Sequence, residues 1–287
     1  MTPRRATRTV LRAGGLTLPL LAVAHAAPAV SALGPLRNRF MPHLSGQGQP
    51  DHVALTFDHG PDHLSTPHFL RLLDSRGLRA TFFLLGSMAV RSPGLVKEMS
   101  AAGHEIAVHG WAHRPLVLRG PGATYDGLAR ARDTFADLTG IPPHLYRPPY
   151  GVMTSGAHLA CRRLGLIPVL WTAWGRDWRA RATPPRTVYD TVMAGLRGGG
   201  TILLHDSDCT PAKGSWCSTL GALPRLMDAC QERGWDVGPL RDHGLQSPRA
   251  AGSERSPAST RRSSLEGRWK PWSLRCGDGL VTKERGA

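Results

Sequence analysis

The sequence predicts one α/β catalytic-sized domain, a distorted parallel (β/α) barrel of about seven strands. Three observations carry that expectation. Short apolar, β-branched or aromatic runs alternate with stretches of helical period from Asp51 to about Leu240. Glycines stand where five of the helices should end, and polar residues able to do chemistry follow directly on several of the apolar runs. An open doubly wound sheet shares the pattern; in both architectures a site lies beyond the C-terminal ends of the strands.

Seven strands are expected, at 53–57, 80–84, 105–108, 144–146, 168–171, 201–204 and 235–237. Helices are expected at about 65–76, 92–102, 124–139, 155–164, 186–197 and 218–233. Thr66 before Pro67 and Ser92 before Pro93 follow the cap-then-proline pattern of a helix start. Gly77, Gly103, Gly140, Gly165 and Gly234 supply the left-handed residue that a helix C-terminus prefers.

The 287 residues carry a formal charge of +15, concentrated at the ends. Residues 1–40 hold six Arg and no acid, and residues 245–287 hold nine basic and four acidic residues, which leaves +4 for residues 41–244. So mild a balance, without a groove-reading motif, argues against a nucleic-acid partner. Arg4, Arg5, Arg8 and Arg12 precede an apolar stretch from Leu16 to Val23 and then Ala24-His25-Ala26, the order of a secretory signal with its cleavage site. Pro19 interrupts the stretch, so an uncleaved amphipathic arm at 1–40, in peripheral contact with a membrane or cell wall, is the alternative, with a cytoplasmic location if the arm is no signal. Residues 245–287, rich in Ser, Pro, Arg and Gly, are expected to be disordered, with Trp269 and Trp272 as their large apolar residues. Of the five Cys, Cys161 and Cys230 fall in helical patterns and read as core; Cys209 and Cys217 bracket a loop and could bridge; Cys276 lies in the tail.

Chemistry gathers in the loops. The first reads Thr56-Phe57-Asp58-His59-Gly60-Pro61, where Asp58 serves either as a turn cap or as a functional carboxylate. The third strand leads into His109-Gly110-Trp111-Ala112-His113, two His whose spacing places them on one side of a helical turn, close enough to share a cation. Tyr146-Arg147-Pro148-Pro149-Tyr150-Gly151 has two prolines that stiffen the backbone and leave the Tyr150 amide as a fixed donor. Trp174-Gly175-Arg176-Asp177-Trp178 follows the fifth run, and His205-Asp206 ends the sixth.

Taken in order, these five loops resemble the five motifs of the polysaccharide deacetylases, carbohydrate esterase family 4, over about residues 51–240; Ala80-Thr81-Phe82-Phe83-Leu84 with Gly86, and Gly103-His104-Glu105-Ile106, are similar to framework segments of that family. The resemblance implies a divalent metal, zinc or alternatively cobalt or nickel, and hydrolysis of N-acetyl or O-acetyl groups on a glycan containing N-acetylglucosamine. By position Asp58 resembles the general base, His109 and His113 metal ligands, and Arg147 the residue that positions the base. Tyr150 is similar to the oxyanion-hole residue, Asp177 to the partner that orients the catalytic imidazole, and His205 to the general acid.

The resemblance breaks at His59, where the family usually has a second Asp that ligates the metal. Either His59 ligates, giving three neutral imidazoles, or the longer side chain displaces its neighbours and the protein is a weak or inactive glycan-binding relative. Gly110 and Trp174 also depart from the family's usual residues. Trp111, Trp171, Trp174 and Trp178 lie in or beside the loops, and one or two of them are expected to touch substrate.

Overall fold

The computed structural model describes residues 20–179, 183–210 and 212–245. The expectations for residues 1–19, for the tail from residue 246 and for Cys276 lie outside the described residues.

The sheet is built on β1 (His52–Asp58), which pairs in parallel with β2 (Thr81–Leu85) and β7 (Thr201–His205). Beyond them come β3 (Glu105–Gly110), β4 (Leu145–Tyr146), β5 (Ile167–Pro168) and β6 (Ala173–Trp174), in the order β5-β4-β3-β2-β1-β7-β6. A further strand, β8 (Asp236–Gly238), pairs with the first half of β1. The six longer helices, Thr66–Ser75, Pro93–Ala101, Pro121–Thr139, Ser155–Leu164, Pro185–Gly195 and Trp216–Gln231, fall where helical period predicts them. Their five terminal glycines all have positive φ, between 62° and 83°. Thr66 is not a cap: it is the first helical residue, after Ser65, and its hydroxyl instead donates to Asp206 at 2.5 Å.

Every residue of β1 is buried, and its side chains alternate between two environments. Val53, Leu55 and Phe57 pack outward under the helices, Phe57 stacking on Phe82 at 5.0 Å and meeting Phe69 edge-on at 5.2 Å. Ala54 joins Phe83, Ala107 and Val169 in a small inner cluster. The same parity places Thr56 and Asp58 on the inner side of β1. It places His109, two residues from Ala107, on the inner side of β3, and His205 there on β7, where Ile202 and Leu204 pack outward.

The expected strand 168–171 is divided. Sheet pairing ends at Pro168 and resumes at Ala173. The carbonyls of Val169, Leu170 and Trp171 instead accept from arginine side chains, Arg147 for the first two and Arg37 for the third. The order of the sheet thus ends on β5 at one side and β6 at the other, and the N-terminal segment packs there: Leu44 accepts from the Leu170 amide at 2.7 Å, and Gly46 from the Thr201 hydroxyl at 2.6 Å. This segment includes a short turn, Ala27–Ala32, and a helix, Gly34–Phe40.

At the floor of the barrel, opposite the strand C-termini, His52 and His243 meet through their Nδ1 atoms at 2.8 Å. His243 Nε2 lies 3.1 Å from the Gly46 and Gly199 carbonyls, so it carries the proton and its Nδ1 accepts from His52. A proton added to His243 Nδ1 would oppose the His52 N–H; burial first, then the His52 charge, hold the His243 pKa down to about 4. The unfolded chain takes up that proton near pH 6.5, the folded chain only near 4, so this contribution to stability is full above about pH 6.5 and is lost as the pH falls towards 4. His243→Gln is therefore expected to melt at a temperature that depends less on pH between 7 and 4.5 than the native protein's does, as followed by circular dichroism; identical pH dependences would show that the pair does not titrate this way.

Candidate active site

Asp58 and His205 end neighbouring strands and are register partners, so their side chains leave the sheet side by side. They open into a cavity of about 270 Å³ that is also lined by His59, His109, His113, Tyr150, Gly151, Trp171, Trp174, Trp178, Leu203 and Thr210. Arg147 and Asp177 are not part of that lining; each stands behind the residue it supports.

Arg147 is fully buried. Its Nη1 donates to Asp58 Oδ1 at 2.7 Å and to Thr56 at 2.8 Å, Nη2 to Leu170 O at 2.8 Å and Nε to Val169 O at 3.2 Å. The Phe83 ring lies 3.9 Å from its guanidinium carbon. Burial pushes the Asp58 carboxyl up, and Arg147 opposes that push without cancelling it, leaving the pKa above its ordinary value.

Behind His205, Asp177 Oδ1 accepts from Nδ1 at 2.8 Å, while Oδ2 accepts from the His205 amide at 2.8 Å and from Thr219 at 2.7 Å. This fixes the imidazole with Nε2 as its remaining nitrogen. Burial alone would depress the His205 pKa; the charge and hydrogen bond of Asp177 outweigh it and the net direction is upward. Asp177 is correspondingly lowered: the penalty of burial is overcome by His205 and by its hydrogen bonds.

Ring nitrogens of His59, His109 and His113 lie within 4.8 Å of one another. His109 and His113 do not share a helical turn. His109 belongs to β3, which runs on to Gly110, and the chain turns there at φ +119°; His113 comes back from the following loop with ring centroids 5.2 Å apart. His109 Nδ1 donates to the Arg147 carbonyl at 2.8 Å, leaving Nε2 as a lone pair. That Nε2 and His113 Nδ1 are buried without a hydrogen-bond partner among the described residues. Burial, then neighbouring positive groups, holds both histidines down to about 3, and His59 is also far below its ordinary value, by burial and then by His205, His109 and His113. Neutral, convergent imidazoles, two of them with an unpartnered nitrogen and the third facing the Thr210 hydroxyl, are a donor set that a divalent cation takes, so these residues fit the metal that the motifs imply.

His59 sits at φ +84°, its ring 4.6 Å from that of His113 and 4.4 Å from that of His205. Thr210 Oγ1 lies 3.0 Å from its Nδ1 and 3.3 Å from its Nε2. Tyr150 takes φ +60°, and its ring meets His113 edge-on at 4.4 Å. Trp171, Trp174 and Trp178 form a wall, with centroids 5.7 and 5.0 Å apart in succession. Trp111 stands outside it, beneath Arg130 at 3.6 Å. Three of the four tryptophans singled out in the sequence therefore line the cavity. Thr219 and Thr210 escaped that reasoning because neither lies in a recognisable pattern; Asp206 was visible beside His205, but its bonds to Thr66 and the Gly60 amide were not.

A parallel barrel with a paired carboxylate, a carboxylate-oriented imidazole and a histidine cluster in one cavity is the equipment of a hydrolase. The family model for polysaccharide deacetylase matches residues 45–169. A chitooligosaccharide deacetylase of Bradyrhizobium sp. (strain ANU 289) is 36% identical over 197 residues, 66% of this chain and 88% of that protein. A peptidoglycan-N-acetylglucosamine deacetylase, PgdA, of Listeria monocytogenes is 34% identical over 160 residues, 56% of this chain but 33% of the relative. The crystal structure of a peptidoglycan N-acetylglucosamine deacetylase in complex with 4-naphthalen-1-yl-N-oxidanyl-benzamide superposes with a TM-score of 0.65 at 27% identity, covering 71% of this chain and 92% of that one. The chain belongs to the polysaccharide deacetylase family, hydrolases that act on carbon–nitrogen bonds other than peptide bonds.

Arg147→Met removes the partner of a buried carboxylate while keeping most of the side-chain volume. It is expected to cost roughly 3–5 kcal/mol of folding stability, measured by denaturant unfolding. A loss below about 1 kcal/mol, the value of an exposed pair, would contradict the role of Arg147 as a structural anchor.

Proposed function

We propose that this protein removes acetyl groups from an N-acetylated, or alternatively O-acetylated, glycan containing N-acetylglucosamine, with its chemistry carried by residues 41–244. The observation that carries the reading is the convergence, in one cavity, of the Asp58–Arg147 pair, the Asp177–His205 pair and three neutral imidazoles. The relatives named as chitooligosaccharide and peptidoglycan deacetylases support the substrate class.

His59, His109 and His113 would hold one divalent ion, most simply zinc, with cobalt or nickel as alternatives that suit imidazole. When bound, such an ion polarises a carbonyl and makes a water molecule more acidic. Asp58, paired with Arg147, accepts the proton of the attacking water. The Tyr150 amide, held at a left-handed φ after two prolines, donates to the carbonyl oxygen as negative charge develops there. His205, charged through Asp177, then gives its Nε2 proton to the departing nitrogen, so that the C–N bond breaks to acetate and an amine. The tryptophan wall offers faces on which sugar rings stack.

A second reading, that the protein binds glycans with little or no turnover, draws on His59 itself. The Thr210 hydroxyl competes for its ring nitrogens, and the ring crowds His205.

Acetate release from acetylated chito-oligosaccharides and glycan polymers, with chelator and then with zinc, cobalt or nickel restored, tests both. Metal-restored release is expected, and Asp58→Asn and His205→Gln should each slow it about 10²- to 10⁴-fold. No release with any metal, together with activity appearing in His59→Asp, would sink the native-activity reading.

The reading includes action outside the cytoplasm, at the cell envelope, where the N-terminal arm makes peripheral contact. Exposed Leu33, Leu36, Phe40 and Met41 line the helix Gly34–Phe40 and its ends, beside the exposed Arg39. Among the described residues no single helix is long and apolar enough to cross a membrane. Cosedimentation with phosphatidylglycerol vesicles is expected, and to weaken in Leu36→Ser/Phe40→Ser; no binding by the native chain would reject the contact.

A further inference from the structure

The N-terminal segment reaches Trp171 in the cavity wall through the side chain of Arg37. Arg37 is 3% exposed. Its Nη2 donates to the Trp171 carbonyl at 2.6 Å, Nη1 to Ser31 O at 2.9 Å and Nε to Ser45 Oγ at 3.3 Å, and its guanidinium carbon lies 5.3 Å from the centre of the Trp171 ring. We propose that Arg37 is a positioning residue for the tryptophan wall: it holds Trp171 by its carbonyl and its ring face, which makes residues 27–45 a working part of the active site.

Three observations carry this. First, although the Val169 amide still donates to Tyr146 of β4 and the Leu170 amide to Leu44, the carbonyls of Val169, Leu170 and Trp171 are taken by the two arginines and not by a strand. Arg147 holds the first two from inside the barrel, and Arg37 holds the third from the N-terminal segment. Second, Arg37 is buried with no carboxylate partner among the described residues, and its charge is met by carbonyls and a hydroxyl. Burial first, and the nearby Arg147 second, lower its pKa to about 10, so it stays charged at neutral pH and bears a desolvation cost that its carbonyl and hydroxyl acceptors offset. Third, Trp171 is a tight contact for the oxyanion turn. A Cβ placed on Gly151 would lie 2.6 Å from the indole, so any tilt of that ring presses on the residue next to Tyr150. The same ring stacks on Trp174 at 27°. Arg37 thus acts at one remove on both the wall and the donor turn.

The proposal rests on the wall being the glycan-binding surface, and its test separates the two. Arg37→Lys keeps the charge and the stem but not the planar fork that reaches three acceptors. It and Arg37→Ala are measured alone and in a Trp171→Phe background, on a chito-oligosaccharide and on 4-nitrophenyl acetate, a small ester that does not reach along the wall. The KM for the oligosaccharide is expected to rise about three- to tenfold, the value of a misplaced aromatic contact. That rise should exceed any change on the ester and should be smaller in the Trp171→Phe background, which keeps the carbonyl but loses the indole. Equal losses on both substrates, or a loss undiminished in that background, would reduce Arg37 to a purely structural residue and overturn the proposal. Arg37→Lys carries the comparison if Arg37→Ala does not fold. Should the native protein hydrolyse neither substrate, the glycan reading fails by itself, and acrylamide quenching still decides the point. The fluorescence difference between the native protein and Trp171→Phe isolates this indole, whose exposure should increase in Arg37→Lys; no increase overturns the proposal.

Discussion

The guanidinium of Arg147 is the contact on which the other features of the site depend. It is buried in the barrel with Asp58, and its donors reach β1, through Asp58 and Thr56, and the backbone that joins β5 to β6. Its own carbonyl takes the Nδ1 proton of His109 on β3. One residue thereby supplies the counter-charge of the carboxylate, fixes the tautomer of a metal-ligand candidate and takes the carbonyls where the sheet breaks between β5 and β6. A charge so deeply buried is tolerable only because its hydrogen bonds are met and its counter-charge is adjacent.

Around that anchor the cavity sorts like side chains into unlike states. Four imidazoles share it, and burial opposes a proton on each of them. Asp58 Oδ2 lies 3.8 Å from His109 Nδ1, but among these four only His205 has a carboxylate hydrogen-bonded to its ring nitrogen, and only there is the opposition overcome. His59, His109 and His113 have one another as neighbours, so each would-be charge is repelled. The arrangement favours the charged form of one imidazole and the neutral form of three by their partners, with no difference in residue type.

Much of this was legible in the sequence. Strand parity places Asp58, His109 and His205 on one inner face, since alternation in a buried strand reflects backbone geometry and not the identity of neighbours. The terminal glycines marked the helix ends for an equally local reason. What escaped was long-range. Thr219 reaches Asp177 across 42 residues, and Arg37 reaches Trp171 across 134; no window of sequence holds both partners. The strand expected at 168–171 fails for the same cause, because side chains from elsewhere take the carbonyls that a neighbouring strand would have used. The helical turn expected at His109–His113 is absent because the strand continues through His109 and Gly110 redirects the chain.

The described chain joins the barrel at one end and leaves it at the other. Ala24 accepts from the Ser155 hydroxyl, in the helix that follows the β4 loop on the mouth side, whereas His243 closes against Gln49 and His52 at the floor. The two described ends of the chain therefore lie at opposite ends of the barrel axis, one beside the mouth and one at the floor.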